Sequence, residues 1–183
     1  MIRTYTLVGI ISDTHGLLRP EALAALRGCQ VIVHAGDVGT PVVLAGLREI
    51  APTVAVRGNN DKGAWAGTLP ETAVVEAGGA SLYVLHNLNA LDLDPAAAGF
   101  QAVIAGHSHR PGIENRQGVL FVNPGSAGPR RFKLPVAVAR LRVWRAKRVE
   151  AEVVELQSPG VGSPAAAKDA RPVRARQFSA LAR

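Results

Sequence analysis

Seven side chains of metal-ligating type stand just beyond short apolar runs in this 183-residue chain. Asp13 and His15 follow residues 7–11, Asp37 follows 31–33, and Asn59 follows 54–56. His86 follows residues 82–85, and His107 and His109 follow 102–105. Buried strands of α/β sheets read as continuous apolar runs, and open sheets of this kind place their sites beyond the carboxyl ends of the strands. One fold can therefore gather all seven groups. Asp, Asn and His hold hard-to-borderline divalent cations, and seven donors exceed what one tetrahedral or octahedral ion needs. Two ions sharing a ligand fit the count, and the pattern reads as a dinuclear metal hydrolase.

Length predicts one domain with a substantial core. A hydrophobic content of 48% fits a globular chain rather than a disordered one. Cys29 is the only cysteine, so no intrachain disulfide forms, in keeping with a reducing compartment. No basic n-region precedes the first apolar run, and cleavage after that run would remove Asp13 and His15. No run approaches the roughly 18 apolar residues of a membrane span. The expectation is a cytoplasmic protein without a membrane partner. Of the net charge of +7, four charges lie in residues 158–183, where five Lys and Arg face Asp169 alone. That stretch mixes Pro, Gly, Ala, Ser and Arg without periodicity and reads as a disordered basic tail beyond a domain over residues 1–157.

Strands are expected over residues 6–12, 30–34 and 53–57. Helices are expected over 20–26, with Pro20 at the first position, and from Pro41 to about residue 50 behind a Thr40 cap. The pattern then changes to hairpins, 72–76 with 81–86 around Gly78-Gly79, and 112–115 with 119–122 around Gln117-Gly118. A short helix capped by Asp94 to Ala98, a strand over 102–105 and final strands over 135–143 and 149–156 complete the reading. Early βαβ units followed by hairpins predict mixed sheets packed together with helices outside.

Each motif alone has an ordinary explanation. Asp13-x-His15 is a polar turn, Asp37 a capping carboxylate, Asn59 a turn asparagine and His86 a satisfied core histidine. Gly106-His107-Ser108-His109 is more telling, because two histidines at a strand end are costly without a partner or a metal. Order and position agree across all of them, and together they carry far more weight than separately.

In that order, D-x-H, G-D, G-N, H and G-H-x-H, the chain resembles the calcineurin-like metallophosphoesterase superfamily. It is most similar to the small bacterial and archaeal phosphodiesterase group, which shares Asn123-Pro124-Gly125-Ser126 and the following Pro129-Arg130. The resemblance covers about residues 7–156. It implies an αββα fold, two mixed β-sheets packed as a sandwich flanked by helices. It also implies one ion on Asp13, His15, Asp37 and His109, and a second on Asp37, Asn59, His86 and His107, with Asp37 bridging. Two departures stand out. Many members carry His after the ligand Asn, where this chain has Asn60, an amide that can donate a hydrogen bond to phosphate but cannot act as a general acid. Asn87 replaces the glycine that usually follows the ligand His.

The expected reaction is hydrolysis of a small phosphoester, a diester favoured over a monoester. Attack would come from a hydroxide bridging two divalent metals, with Mn²⁺, Fe²⁺, Ni²⁺ or Zn²⁺ all suited to the mixed ligands. Asp37 and Asn60 are the candidate catalytic residues. Arg57, Arg110, Arg130 and Arg131 are candidate phosphate contacts in a chain with 17 Arg against 4 Lys. Residues 62–70, with Trp65, are a candidate pocket wall or oligomer contact. Rival readings are a non-catalytic scaffold on the same fold, like the retromer subunit, and a nuclease guided by the basic tail. With 4% aromatic residues the chain offers few platforms for bases, so nucleic acid is not the expected partner.

Overall fold

A computed structural model describes residues 5–131 and 133–157. Their strands form two mixed five-stranded sheets stacked face to face. The first sheet is built on β1 (Tyr5–Ile11), which pairs parallel with β2 (Val31–His34), itself parallel to β3 (Thr53–Ala55). β9 (Ala137–Trp144) and β10 (Val149–Glu155) extend the other side antiparallel, giving the order β10-β9-β1-β2-β3. The second sheet has the order β4-β5-β6-β8-β7. There β5 (Ala80–Leu85), β6 (Ala102–Ile104) and β8 (Val119–Asn123) run parallel, between antiparallel β4 (Thr72–Ala77) and β7 (Gly112–Arg116).

Two hairpins form where glycine predicts them. Ala77 pairs with Ala80 around Gly78-Gly79, and Arg116 with Val119 around Gln117-Gly118, with all four loop residues at positive φ. The main core fills the space between the sheets, with Val8, Ile10 and Leu141 from one and Leu82, Val84 and Ile104 from the other. A second cluster lies under α1 (Pro20–Leu26) and α2 (Pro41–Arg48), where Leu26, Leu44 and Leu47 are buried on the outer face of the first sheet. Each such leucine contributes about 1.5–3 kcal/mol on burial. The outer face of the second sheet is covered by coil instead, through Leu88, Leu91, Leu93 and Phe100. The short helix expected over 94–98 is a single turn. Asp94 Oδ1 accepts from the Ala96 and Ala97 N–H groups, and the backbone turns off at Gly99 with φ 79°. The tail reading over 158–183 lies outside the described residues. Among the described residues no helix is long and apolar enough to cross a membrane.

His34, the last residue of β2, is fully buried. The Thr14 hydroxyl donates to Val38 O at 2.8 Å, so its oxygen, 2.9 Å from His34 Nε2, accepts from that ring. His34 is therefore the neutral Nε2–H tautomer, and its Nδ1 has no hydrogen-bond partner. Burial, reinforced by the nearby His86, pushes its pKa down to about 3 from an ordinary value of 6.5. Between those values the unfolded chain binds the proton and the folded chain does not, so His34 weakens the fold as pH falls from 6.5 toward 3. Urea unfolding of metal-free protein should show a stability that rises with pH across this window. His34→Gln, which keeps a donor for Thr14, should lose about 1.4 kcal/mol per pH unit of that slope; parallel slopes in the two proteins would refute the assignment.

Candidate metal centre

Because β1 and β2 are parallel with Ile11 beside His34, the turns that leave them are neighbours. Their pairing continues past the strand ends. Asp13 N–H donates to Gly36 O at 3.0 Å, His15 N–H to Asp37 O at 3.0 Å, and Gly16 N–H to Val38 O at 2.8 Å. Both turns reverse through left-handed backbone, with φ of 53° at Asp13, 47° at His15 and 53° at Asp37. His107 (65°) and His109 (58°) do the same after β6. Five of the seven candidate ligands thus hold a conformation that costs a non-glycine residue of order 1 kcal/mol or more. Such strain persists only where the surroundings over-determine it.

Two glycines make room for the carboxylates. A Cβ at Gly58 would stand 2.1 Å from both Asp37 N and Asp37 Oδ1. One at Gly106 would stand 1.9 Å from Ser12 Oγ and 2.7 Å from Asp13 Oδ2. Both approaches are far inside van der Waals contact.

The fold brings all seven predicted ligands to one rim. Asp13 Oδ2 accepts from Ser12 Oγ at 2.7 Å and from His107 N–H at 3.1 Å. Its Oδ1 lies 3.1 Å from His109 Nε2 yet makes no hydrogen bond, and His15 Nε2 is likewise buried and unpartnered. Donor atoms of Asp13, His15 and His109 lie within 4.8 Å of one another, as do those of Asp13, Asp37 and His86. Asp37 Oδ2 is 3.5 Å from His86 Nε2 and 4.0 Å from His15 Nε2. Asn59 Oδ1 completes the set, 3.0 Å from both His86 Nε2 and His107 Nδ1. Asp37 was expected as the shared carboxylate; the geometry puts Asp13 in an equally central place. Buried lone pairs that converge without satisfying each other, drawn from mixed N and O donors, fit a divalent cation.

The charge states are set by burial and by these contacts. Burial raises the Asp13 carboxyl above its ordinary value, against the lowering effect of Ser12. At Asp37 burial also pushes upward, but hydrogen bonds from His86 and from the Asn60 side chain and backbone outweigh it and hold the carboxyl well below the usual range. His86 gains the reciprocal benefit. Burial lowers it, while its bonds to Asp37 and to Ala35 O, 2.7 Å away, bring it above 6.5. Burial depresses His109.

Asn60 donates to both Asp37 oxygens, through Nδ2 to Oδ2 at 2.6 Å and through its N–H to Oδ1 at 2.8 Å. Asn87, where the resemblance leads one to expect glycine, keeps φ at −107° and turns its side chain to accept from Asn89 N–H. The departure therefore leaves His86 free to face Asp37. The Asn123–Ser126 loop buttresses the site instead of lining it. Asn123 Nδ2 donates to Gly106 O at 2.7 Å and Ser126 Oγ to Asp13 O at 2.9 Å. Arg57 pairs with Glu71, and Arg110 lies in a separate hollow on the outer face of the second sheet. Arg131 lines a small hollow beside His107 and His109. Sequence reading missed Asp61, whose buried carboxylate accepts from Gly39 N–H and Gly58 N–H, both at 2.8 Å. It ties the Asp37 turn to the Asn59 turn, and its place three residues after Gly58 was the available signal.

Comparison with known proteins agrees with this geometry. The calcineurin-like phosphoesterase superfamily domain matches residues 7–145. A probable metallophosphoesterase from Methanothermobacter thermautotrophicus is 32% identical over 168 residues, 84% of this chain and 94% of that protein. A structure described as a novel archaeal phosphodiesterase superposes with a TM-score of 0.67 at 23% identity, covering 81% of this chain and all of the other. Vacuolar protein sorting 29 from Cryptosporidium parvum gives 0.68 at 18% identity, covering 85% and 100%. These two likenesses show the shared sandwich. With the family domain spanning most of the described residues and its motifs meeting at one rim, the chain belongs to the calcineurin-like phosphoesterase superfamily.

Proposed function

We propose that this protein is a metal-dependent phosphoesterase that hydrolyses phosphodiesters and takes two divalent ions per chain. The observation that carries the reading is the convergence of unpartnered donor atoms, Asp13 Oδ1 and His15 Nε2 above all, on backbone strained to aim them. Asp13, His15, Asp37 and His109 would hold one ion, and Asp37, Asn59, His86 and His107 the other. Bound there, the ions would supply an acidified water and neutralise charge on the phosphoryl oxygens.

The residues of the chain have separate tasks. Asp37, kept ionised by Asn60 and His86, offers a carboxylate to both positions. Asp13 is turned inward by Ser12 and the His107 N–H, so one oxygen stays open. Asn60 orients Asp37 and presents an amide where a general acid would stand. A neutral amide cannot protonate a departing alkoxide, which favours substrates with stable leaving groups. The shared fold with an archaeal phosphodiesterase supports the same reading. A non-catalytic scaffold on the same fold, which vacuolar protein sorting 29 shares, is the second reading; the complete set of candidate ligands weighs against it.

Metal analysis of purified protein should give close to two divalent ions per chain. Turnover of bis(p-nitrophenyl) phosphate should exceed that of p-nitrophenyl phosphate, vanish with chelator and return with Mn²⁺. Metal-free or inactive protein would favour the scaffold. Asp37→Ala should reduce kcat by on the order of a hundredfold or more, well beyond the effect of His86→Ala, since one change disturbs both positions. Gly106→Ala should leave the fold intact but weaken metal binding by about 10- to 100-fold, because the added methyl displaces Ser12 from Asp13; calorimetric titration giving wild-type affinity would disprove that supporting role.

A further inference from the structure

A cleft of about 710 Å³ opens from Asn59, His86 and His107 along the gap between the 58–67 loop and the start of β4. It is ample for one arm of a phosphodiester and lies on one side of the ligand cluster only. Its charges are unevenly distributed. Arg57 is spent on Glu71, and Asp61 on two backbone N–H groups. Asp92 remains, exposed and with no ion pair among the described residues. Arg131 lines the hollow by His109 and Arg110 the hollow on the outer face of the second sheet, so neither lines this cleft. Tyr83 is the one Phe, Tyr or Trp on the wall, and its ring packs on Phe100, 5.2 Å between centroids.

We infer that this cleft seats one alcohol arm of the substrate and selects an arm that is uncharged or cationic, discriminating against one that carries a further anionic group. The inference rests on the phosphoesterase reading and deepens it. The anionic phosphate would be held by the ions that the ligand cluster binds, while its arm would meet the unpaired carboxylate of Asp92, the lining's one arginine, Arg57, being paired with Glu71. At a wet surface one such charge shifts relative affinity by several-fold and is screened by salt. Gly67 gives independent access to the same space. It lines the cleft, its φ is not positive, and a Cβ there meets nothing within 4 Å. A side chain can therefore be started there without a backbone or Cβ clash.

The test uses the full-length metal-loaded protein and p-nitrophenyl phosphodiesters whose second arm is choline, butyl or 3-carboxypropyl. Wild-type kcat/KM should fall in that order. Asp92→Lys should lower the choline-to-carboxypropyl ratio by about tenfold at low ionic strength, and by less at high salt. Gly67→Trp should cut kcat/KM for bis(p-nitrophenyl) phosphate by at least about tenfold, mainly through KM, with metal content and melting temperature unchanged. Retained turnover with a charge order that Asp92→Lys does not move, or full activity in Gly67→Trp, overturns the placement of the arm. Absence of metal-dependent turnover of every ester instead overturns the phosphoesterase reading beneath it.

Discussion

The site depends on a ladder of backbone hydrogen bonds that does not stop where its strands stop. Parallel β1 and β2 hand their register to the two turns that follow, so residues 13–16 and 36–38 remain paired as they leave the sheet. This clamp accounts for the strained φ values. Asp13, His15 and Asp37 cannot relax to ordinary backbone without breaking bonds to Gly36, Asp37 and Val38. A side chain in the left-handed region leaves the chain at an angle that a regular turn does not offer, and here those angles bring two carboxylates and an imidazole to one point.

Around this clamp, each further contact holds a candidate ligand from behind. Asp61 joins the Asp37 and Asn59 turns, Ala35 O fixes the His86 ring, and Asn123 and Ser126 anchor the Gly106 and Asp13 carbonyls. The candidate donor atoms themselves are left underused. Asp13 Oδ1 and His15 Nε2 are buried with nothing to bond to, a costly state that a purely structural turn would have no reason to keep. Burial is graded across the cluster, from Asp13 and Asp37 in the floor to Asn59 and His107 at the exposed rim. Protein therefore closes one side of the cluster and leaves the other to the cleft.

Much of this was legible in the sequence, for physical reasons. Apolar runs, Gly-Gly and Gln-Gly turns and proline at helix starts depend on local sterics, and β1, β2, α1 and both hairpins stand where those signals placed them. The convergence of the candidate ligands was legible because a strand end fixes where the next residue must be. The limits were equally physical. β3 stops at Ala55, earlier than its apolar run suggests, because Arg57 N–H turns to Pro70 O. The insertion of β8 between β6 and β7 is a long-range choice that no local pattern records. His34 resembled any other histidine at a strand end, and only packing reveals that it faces the core and Thr14 rather than the rim. Asp61 and the Asn123–Ser126 loop act through backbone groups of distant residues, which a linear reading does not locate.

The donors come from both halves of the sandwich: Asp13, His15, Asp37 and Asn59 follow strands of the first sheet, His86, His107 and His109 strands of the second. Any ion gripped by members of both sets rivets the two layers together. Slippage of one layer over the other would open the grip, and an ion that prefers the closed arrangement adds its binding free energy to the cohesion of the whole domain. Ion supply and mechanical integrity of the sandwich would thereby be linked in a single joint.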